Sequence, residues 1–523
     1  MKHSVRKWKR RVRTSALITC TLGLSGSMSA ISGTPGAEGI TFDRYEVVTG
    51  SAKRQTVLTG FLLGGAIAEL AVVHIDEGGD RRLRIYAFDD GAWAPRIEAP
   101  LRPGVLFVDV ADIGGRDRLV TYGRGRLSWF DPESSTERPL VAVAADFKPP
   151  SRGEVPHVDV TRDVNADGRD DLVVPGVDGF RVFIQTSNGA FADPVKIGRS
   201  SGVAIEADGY RYDPWSQGRV HEMDYNRDGR SDLVFWNGDH FEVHQQDPRG
   251  LFSPAAETFT TDVTFDSDDP AWLAAPQGVR RRRKDGRLPG VPTGRVLQSL
   301  TDVNGDGVAD LVVFSLDIKS MWSVHSAYEV HFGMPAADGG TEFASDVGTA
   351  IRSDGLPFGI GPHDFDRDGD VDMMYTTIKI GVFKTIGMLA GAVLTRSVAQ
   401  DLDFYRMEGG VYPGKPDATR KIRSVSLGKS GEKAAHWPSV LIGDVNGDGR
   451  SDLLVQKGRK ELRVFLGVPG PDLFARRPQK LAVAMPDEGY TWLVDLDRDG
   501  KQEILMHHPS STEPHRVKML MVR

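Results

Sequence analysis

The stretch Asp444-Val-Asn446-Gly-Asp448-Gly-Arg450-Ser-Asp452, running on into Leu453-Leu-Val455, decides how this 523-residue chain is read. Oxygen side chains stand at positions 1, 3, 5 and 9, and glycine stands at position 6. Five further copies share that spacing: Asp163-Val-Asn165-Ala-Asp167-Gly-Arg169-Asp-Asp171, Asp224-Tyr-Asn226-Arg-Asp228-Gly-Arg230-Ser-Asp232, Asp302-Val-Asn304-Gly-Asp306-Gly-Val308-Ala-Asp310, Asp364-Phe-Asp366-Arg-Asp368-Gly-Asp370-Val-Asp372 and Asp495-Leu-Asp497-Arg-Asp499-Gly-Lys501-Gln-Glu503. Calcium takes six to eight hard oxygen ligands, and alternating Asp/Asn side chains on a tight loop can converge on one ion. The glycine permits a bend that turns the position 7 carbonyl inward as a further ligand. One such cluster could be a plain polar turn. Six with identical spacing predict about six structural calcium ions.

An EF-hand is excluded. It needs a bidentate Glu at position 12 and flanking helices. Here position 12 is Val174, Phe235, Val313, Tyr375, Val455 or Met506, and each loop runs into a strand-like apolar stretch such as Leu172–Val174 or Leu311–Phe314. Two more copies keep the flanking pattern without the ligands: Phe61–Glu69 leading into Leu70–Val73, and Asp109–Asp117 leading into Leu119–Val120. Leu63, Gly65, Ala111 and Ile113 offer no side-chain oxygen, so neither copy is expected to hold calcium tightly. Around the loops four short strands recur, as in Val440–Ile442, Leu453–Val455, Leu462–Leu466 and Lys480–Ala484. Four strands per unit predict an all-β fold, a single β-propeller of radial blades with calcium loops between first and second strands.

These residues resemble the FG-GAP/VCBS repeat family, the calcium-loop propellers of integrin α chains and of many secreted bacterial proteins. The resemblance extends to the turns Phe183–Phe191 and Phe465–Phe474 and covers about residues 40–523. It departs in the first two copies and at Glu503, which replaces the last Asp. Eight loop positions favour eight blades, with seven as the alternative. Val517–Val522 would be only the third strand of the last unit, and Ile40–Val48 could supply its fourth.

Residues 1–30 carry seven basic residues and no acid, then a short apolar run over Leu17–Leu24 and small residues to Ala30. That order predicts a signal peptide and an exported protein (periplasmic, cell-surface or secreted), with residues 31–523 forming the propeller. Cleavage there removes seven of 65 bases, leaving 58 against 72 acids and a net charge of −14. Such a balance argues against a nucleic-acid partner. It also removes Cys20, the only cysteine, so metal rather than disulfide is the expected staple.

Insertions are expected near 262–295, 316–326 and 376–402, at the end of the blades opposite the calcium loops. Tyr210-Arg211-Tyr212-Asp213-Pro-Trp215 and His436-Trp437 could stack on and hydrogen-bond a sugar, with packing between blades the competing reading. Arg280–Lys284 could hold an anionic polymer, although a solvated or protease-sensitive loop is favoured. Ile380–Leu394 is apolar but, at fifteen residues interrupted by Lys384, short for a membrane span. No nucleophile elbow, zinc-protease helix or phosphate-binding loop is present, and no catalytic residue is assigned. A monomeric binding module for a glycan, surface polymer or protein partner is therefore favoured over a polysaccharide lyase built on the same scaffold.

Overall fold

The computed structural model describes residues 40–523 except 53, 124, 144–152, 177–178, 199–203, 207–208, 212–218, 269–293, 321–322, 379–396, 427–437, 487–489 and 511. Apolar residues run consecutively along its second strands, as in Leu70-Ala-Val-Val73 and Leu311-Val-Val-Phe314, so both faces of a sheet can be buried when sheets stack face to face. Eight four-stranded antiparallel sheets result, seven with strands in sequence order and one closed by the first strand of the chain, and no α-helix occurs among the described residues. The chain is an all-β, eight-bladed β-propeller.

Two compact units divide it: Met1–Trp215 with Pro438–Val468 and Phe474–Arg523, and Ser216–Trp437 with Pro469–Leu473. The first unit holds blades 1, 2, 3, 7 and 8. Blade 1 is built from Gln55–Gly60, Glu69–Ile75, Arg81–Asp89 and Ala92–Pro100, and blade 2 from Val105–Asp112, Asp117–Gly123, Arg126–Asp131 and Thr136–Ala142. Blade 3 has Thr161–Arg162, Asp171–Gly176, Gly179–Phe183 and Val195–Ile197. Blade 7 has Val440–Gly443, Asp452–Lys457, Glu461–Phe465 and Gln479–Ala482.

Blade 8 takes Thr491–Val494, Glu503–His508 and Arg516–Val522 from the chain's end and Phe42–Val48 from its start. All seven residues of Phe42–Val48 pair in register with Val522–Arg516, so the fourth strand comes from the segment that the sequence pointed to. Arg523 and Arg516 add ion pairs to Asp43 and Glu46 across this join.

The second unit holds blade 4 (Val220–Met223, Asp232–Trp236, Phe241–His244, Glu257–Phe259), blade 5 (Gly294–Thr301, Asp310–Ser320, Ser323–His331, Thr349–Asp354) and blade 6 (Leu356–His363, Asp372–Ile378, Ser397–Tyr405, Ala418–Ser426). Within each unit the core lies in the seams between successive blades. In blade 5 the alternation is explicit: Leu311 and Val313 pack toward blade 4, whereas Val312 and Phe314 pack toward blade 6.

Three expectations change. The supposed insertion at 316–326 is a lengthened hairpin, with Leu316 opposite Ser326 and Ile318 opposite Val324, because alternating side chains let the strands simply continue. Asp109 is not the first residue of a loop. It sits mid-strand opposite Val120, and a four-residue turn, Ile113–Arg116, joins the strands instead. The apolar pair Val158 and Val160 reads as blade 3's first strand, yet that strand is Thr161–Arg162, and Val158 bonds back to Val108 of blade 2.

Candidate metal centres

In all six acidic loops the backbone turns by the same device. Position 6 glycine has positive φ, from 76° at Gly449 to 98° at Gly369, and so does position 4: Ala166 (61°), Arg227 (59°), Gly305 (72°), Arg367 (70°), Gly447 (75°) and Arg498 (62°). Two left-handed residues two apart fold the nine residues tightly enough for side chains 1, 3 and 5 to face inward. The position 4 glycines have a second reason: a Cβ on Gly305 would lie 3.0 Å from Asp370 Oδ1, and one on Gly447 3.0 Å from Lys501 Cγ.

The inward carboxylates accept the loop's own amides. In blade 3 the Asp167 amide donates to Asp163 Oδ1 (2.9 Å) and Asn165 Oδ1 (3.1 Å), Gly168 donates to Asp163 Oδ2 (3.0 Å), and Arg169 donates to Asp167 Oδ1 (2.9 Å). Blades 4 and 5 repeat all four bonds. Position 7 to position 5 recurs in the other three, through Asp370, Arg450 and Lys501. Basic side chains at position 7 also reach the outer oxygen of position 5, in Arg169–Asp167, Arg230–Asp228 and Lys501–Asp499.

Position 9 is different in kind. Asp171, Asp232, Asp310, Asp372, Asp452 and Glu503 have no solvent exposure. One carboxylate oxygen accepts the position 2 amide: Val164, Tyr225, Val303, Phe365, Val445 and Leu496 donate at 2.7–3.1 Å. In five blades the other oxygen accepts an amide beyond the third strand, from Gln185, Gln246, Gly333, Met407 or Gly467. The acid thus ties the loop to the blade, while the position 2 side chain plugs the seam. Burial pushes these carboxyls up, opposed by the amides and reinforced by the loop's other acids: to about 8 at Asp171 and Asp372, about 7 at Glu503, and about 6 at Asp232, Asp310 and Asp452.

Two loops bring positions 1, 3 and 9 together with one oxygen from each within 4.8 Å of the others: Asp364, Asp366 and Asp372, and Asp495, Asp497 and Glu503. In the latter, Asp495 Oδ1 and Glu503 Oε1 are buried without a hydrogen-bond partner. Crowded, desolvated carboxylate oxygens lacking donors are the donor set a hard divalent cation fits. The longer Glu503 leaves Oε1 unbonded where the five Asp loops bond both oxygens.

Blades 1 and 2 keep the scaffold without the ligand positions. Position 2 is still buried at Leu62, and position 9 is still a buried acid, Glu69 and Asp117. Glu69 Oε2 accepts the Leu63 amide (3.1 Å) and Asp117 Oδ2 the Phe61 amide (2.9 Å). Guanidinium groups occupy this region: Arg116 donates to the Leu62 carbonyl (3.0 Å), and Arg498 lies 3.7 Å over the Phe61 ring.

Of the proposed ligand-contact residues, Tyr210 and Arg211 fall on a small hairpin, Gly209–Arg211 pairing with Ala204–Glu206. Tyr212, Asp213, Trp215, His436 and Trp437 lie outside the described residues, as do Arg280–Lys284 and Ile380–Leu394. No helix among the described residues is long and apolar enough to cross a membrane.

Fold and loops together define a class: a β-propeller with acidic turns between first and second strands in six of eight blades. No family model and no curated protein matches the sequence. Similar solved structures include the Dos1 propeller (10% identity, TM-score 0.40, covering 91% of this chain and 94% of that one) and the V. cholerae biofilm matrix protein Bap1 (12%, 0.27, 94% and 87%). Another is the Bacillus licheniformis rhamnogalacturonan lyase (12%, 0.30, 97% and 76%). The chain also aligns with the Photorhabdus luminescens Tc holotoxin pore (14%, 0.29), covering 89% of itself but spanning 16% of that chain's length. The propeller assignment rests on the strand pairing.

Proposed function

We propose that this is an exported, calcium-stabilised binding module of the FG-GAP/VCBS kind, presenting its blades to a glycan, surface polymer or protein partner. The observation that carries the metal half is the meeting of Asp495, Asp497 and Glu503 with two buried, donorless oxygens. Positions 1, 3, 5 and 9 of each loop, with the position 7 carbonyl, are the ligands of this reading. Calcium binding only the folded state would stabilise it by mass action. The test is thermal unfolding with excess calcium and with chelator, paired with a glycan screen also scored for unsaturated products. Equal melting temperatures would sink the metal, and a screen without a hit the glycan ligand.

One arrangement favours a second reading, a polysaccharide lyase. His157 Nε2 lies 2.8 Å from Asp109 Oδ1, whose carboxylate also accepts the Val110 and Val160 amides. Beside it stands the exposed Asp159, which accepts from the Thr161 amide (3.4 Å). An imidazole oriented by one carboxylate with a second acid alongside is a pairing that proton abstraction and return can use. Unsaturated products lost in His157→Ala would establish it.

A further inference from the structure

We propose that the cavity at the loop end of blade 2 is a subsite for a carboxylated sugar residue, a uronate unit of a polysaccharide. This rests on the binding reading above and names a ligand class and a place for it. The cavity is about 220 Å³ and is lined by Arg116, Arg118 and Arg138, by Trp129, and by Leu62 and Ile85 from blade 1. It is smaller than the roughly 300–1,000 Å³ of pockets that engulf whole ligands, which suits one unit of a longer chain.

The charges at this cavity are unevenly committed. Three acids also line it, of which only Asp131 is neutralised by an ion pair. Asp117 holds the Phe61 amide, and Asp131 is paired with Arg138 and accepts from Ser134 Oγ (2.8 Å). Glu133 is left at the exposed rim. Arg116 donates to the Leu62 carbonyl and makes no ion pair. Arg118 donates through Nε to the Ile113 carbonyl (3.2 Å), makes no ion pair, and carries its guanidinium 3.7 Å over the Trp129 ring. Burial and the neighbouring Arg116 hold the Arg118 pKa below its usual value, as expected where positive charge is not cancelled.

Arg116 and Arg118 line one cavity and make no ion pair, so their guanidinium groups can bind a planar carboxylate through paired N–H donors. The partly exposed Trp129 supplies the apolar surface that the carbon skeleton of a sugar needs, with Leu62 and Ile85 buried beneath the cavity. Free sulfate or phosphate would satisfy the arginines but not use that surface. The place is also distinctive within the molecule. In blades 3, 4 and 8 the position 7 bases are held by loop acids, whereas the short turn of blade 2 has no position 5 acid to quench Arg116 and Arg118.

The test is calorimetric titration of the full chain, in calcium, with a galacturonic acid tetramer, its methyl ester, a neutral galactose tetramer and sodium sulfate. Arg118→Gln and Arg116→Gln are compared with a control, Arg249→Gln, on an exposed blade 4 turn. The expected result is binding of the acidic tetramer only, weakened at least tenfold in both cavity variants and unchanged in the control, with melting temperatures preserved. Arg118→Lys should not restore it, because a single ammonium cannot replace the fork. Equal binding of the ester, or sulfate binding alone, overturns the uronate assignment. Cavity variants that bind like wild type overturn the subsite and leave the binding reading standing. If wild type binds nothing in this panel, the inference fails. The binding reading fails with it only if the broad glycan screen is also empty.

Discussion

The acidic loops of blades 3 to 8 and the ligand-poor turns of blades 1 and 2 are built on one plan, and their difference separates structure from metal chemistry. Both groups keep a buried acid at the head of the second strand: Asp171, Asp232, Asp310, Asp372, Asp452 and Glu503 in one, Glu69 and Asp117 in the other. Only the first group keeps oxygens at positions 1, 3 and 5. In blades 1 and 3 to 8 the buried acid accepts an amide of its own turn, and in blade 2 Asp117 accepts the Phe61 amide of blade 1, because buried amides require an acceptor. In the calcium reading proposed above, the outer acids serve only to hold the cation. At blades 1 and 2 that region holds guanidinium contacts from Arg116 and Arg498.

The widest gap between the two groups should open on removing calcium. At a free concentration a hundred times its dissociation constant, one ion stabilises by about 2.7 kcal/mol, and six sites multiply the effect. Chelation should lower the melting temperature further than any single substitution. Amide exchange should rise in the turns at 163–171 and 444–452 and stay unchanged at 61–69 and 113–116. Uniform loosening of all eight turns would show that the metal does not distinguish the groups.

Next in size is the position 9 acid. Asp171→Ala strands the Val164 and Gln185 amides, each a buried donor costing about 1–3 kcal/mol when unpaired. The loss should appear in denaturant unfolding with calcium or with chelator. Asp163→Ala, by contrast, should cost much more in calcium than in chelator. If Asp171→Ala costs nothing in chelator, position 9 serves as a ligand alone and its bonds to the Val164 and Gln185 amides are no staple.

This division also explains what could be read from the residues alone. Fold class, blade number and the joining of Phe42–Val48 to the final strand were legible because each depends on a repeated local pattern that ten residues display. The distinct role of position 9 was not legible, since its partners, such as Gln185 for Asp171, lie beyond the third strand and only the blade brings them together. Asp109 misled for the same reason: its spacing to Asp117 imitates a loop, yet it pairs with Val120 and bonds His157. The arginine cavity left no sequence signal, because Arg116, Arg118, Trp129 and Arg138 come from three different strands and their connecting turn.

A smaller contrast concerns pH in blade 8, where an acidic loop and the joining strand meet. His507 is fully buried, and its pKa is lowered by burial and by His515 and His508. Burial, with Lys518 and Arg516 opposed by Glu46, lowers His508 to about 4. A histidine whose folded pKa is depressed contributes stability above the unfolded value of about 6.5, and loses it as the pH falls toward the folded value. In chelator the two histidines pull stability down between pH 6.5 and 4, against the six position 9 acids, whose raised pKa values favour the folded state as the pH falls. The histidine share is read as a difference: His508→Gln should gain melting temperature over wild type on going from pH 6.5 to 4, with exchange in 42–48 slowed, and a constant difference would place the histidine's sensitivity elsewhere.

The smallest effects are conformational and probe the turn itself. A Cβ on Gly168 would meet no atom within 4 Å, so Gly168→Ala introduces left-handed strain and no clash, costing about 1–2 kcal/mol. Gly115 in blade 2 has the same open surroundings and a φ of 78°. Gly115→Ala should cost as much as Gly168→Ala in chelator. With calcium the two should part, because strain at position 6 also misplaces the position 7 carbonyl and weakens the ion's hold on blade 3. Ala166→Gly tests the companion position: it relieves left-handed strain at φ 61° but frees the unfolded chain, so the net gain should stay below about 1 kcal/mol. Denaturant midpoints measured with and without calcium give all three numbers. Equal penalties for Gly168→Ala and Gly115→Ala under both conditions would mean that the six acidic turns owe their shape to hydrogen bonds alone.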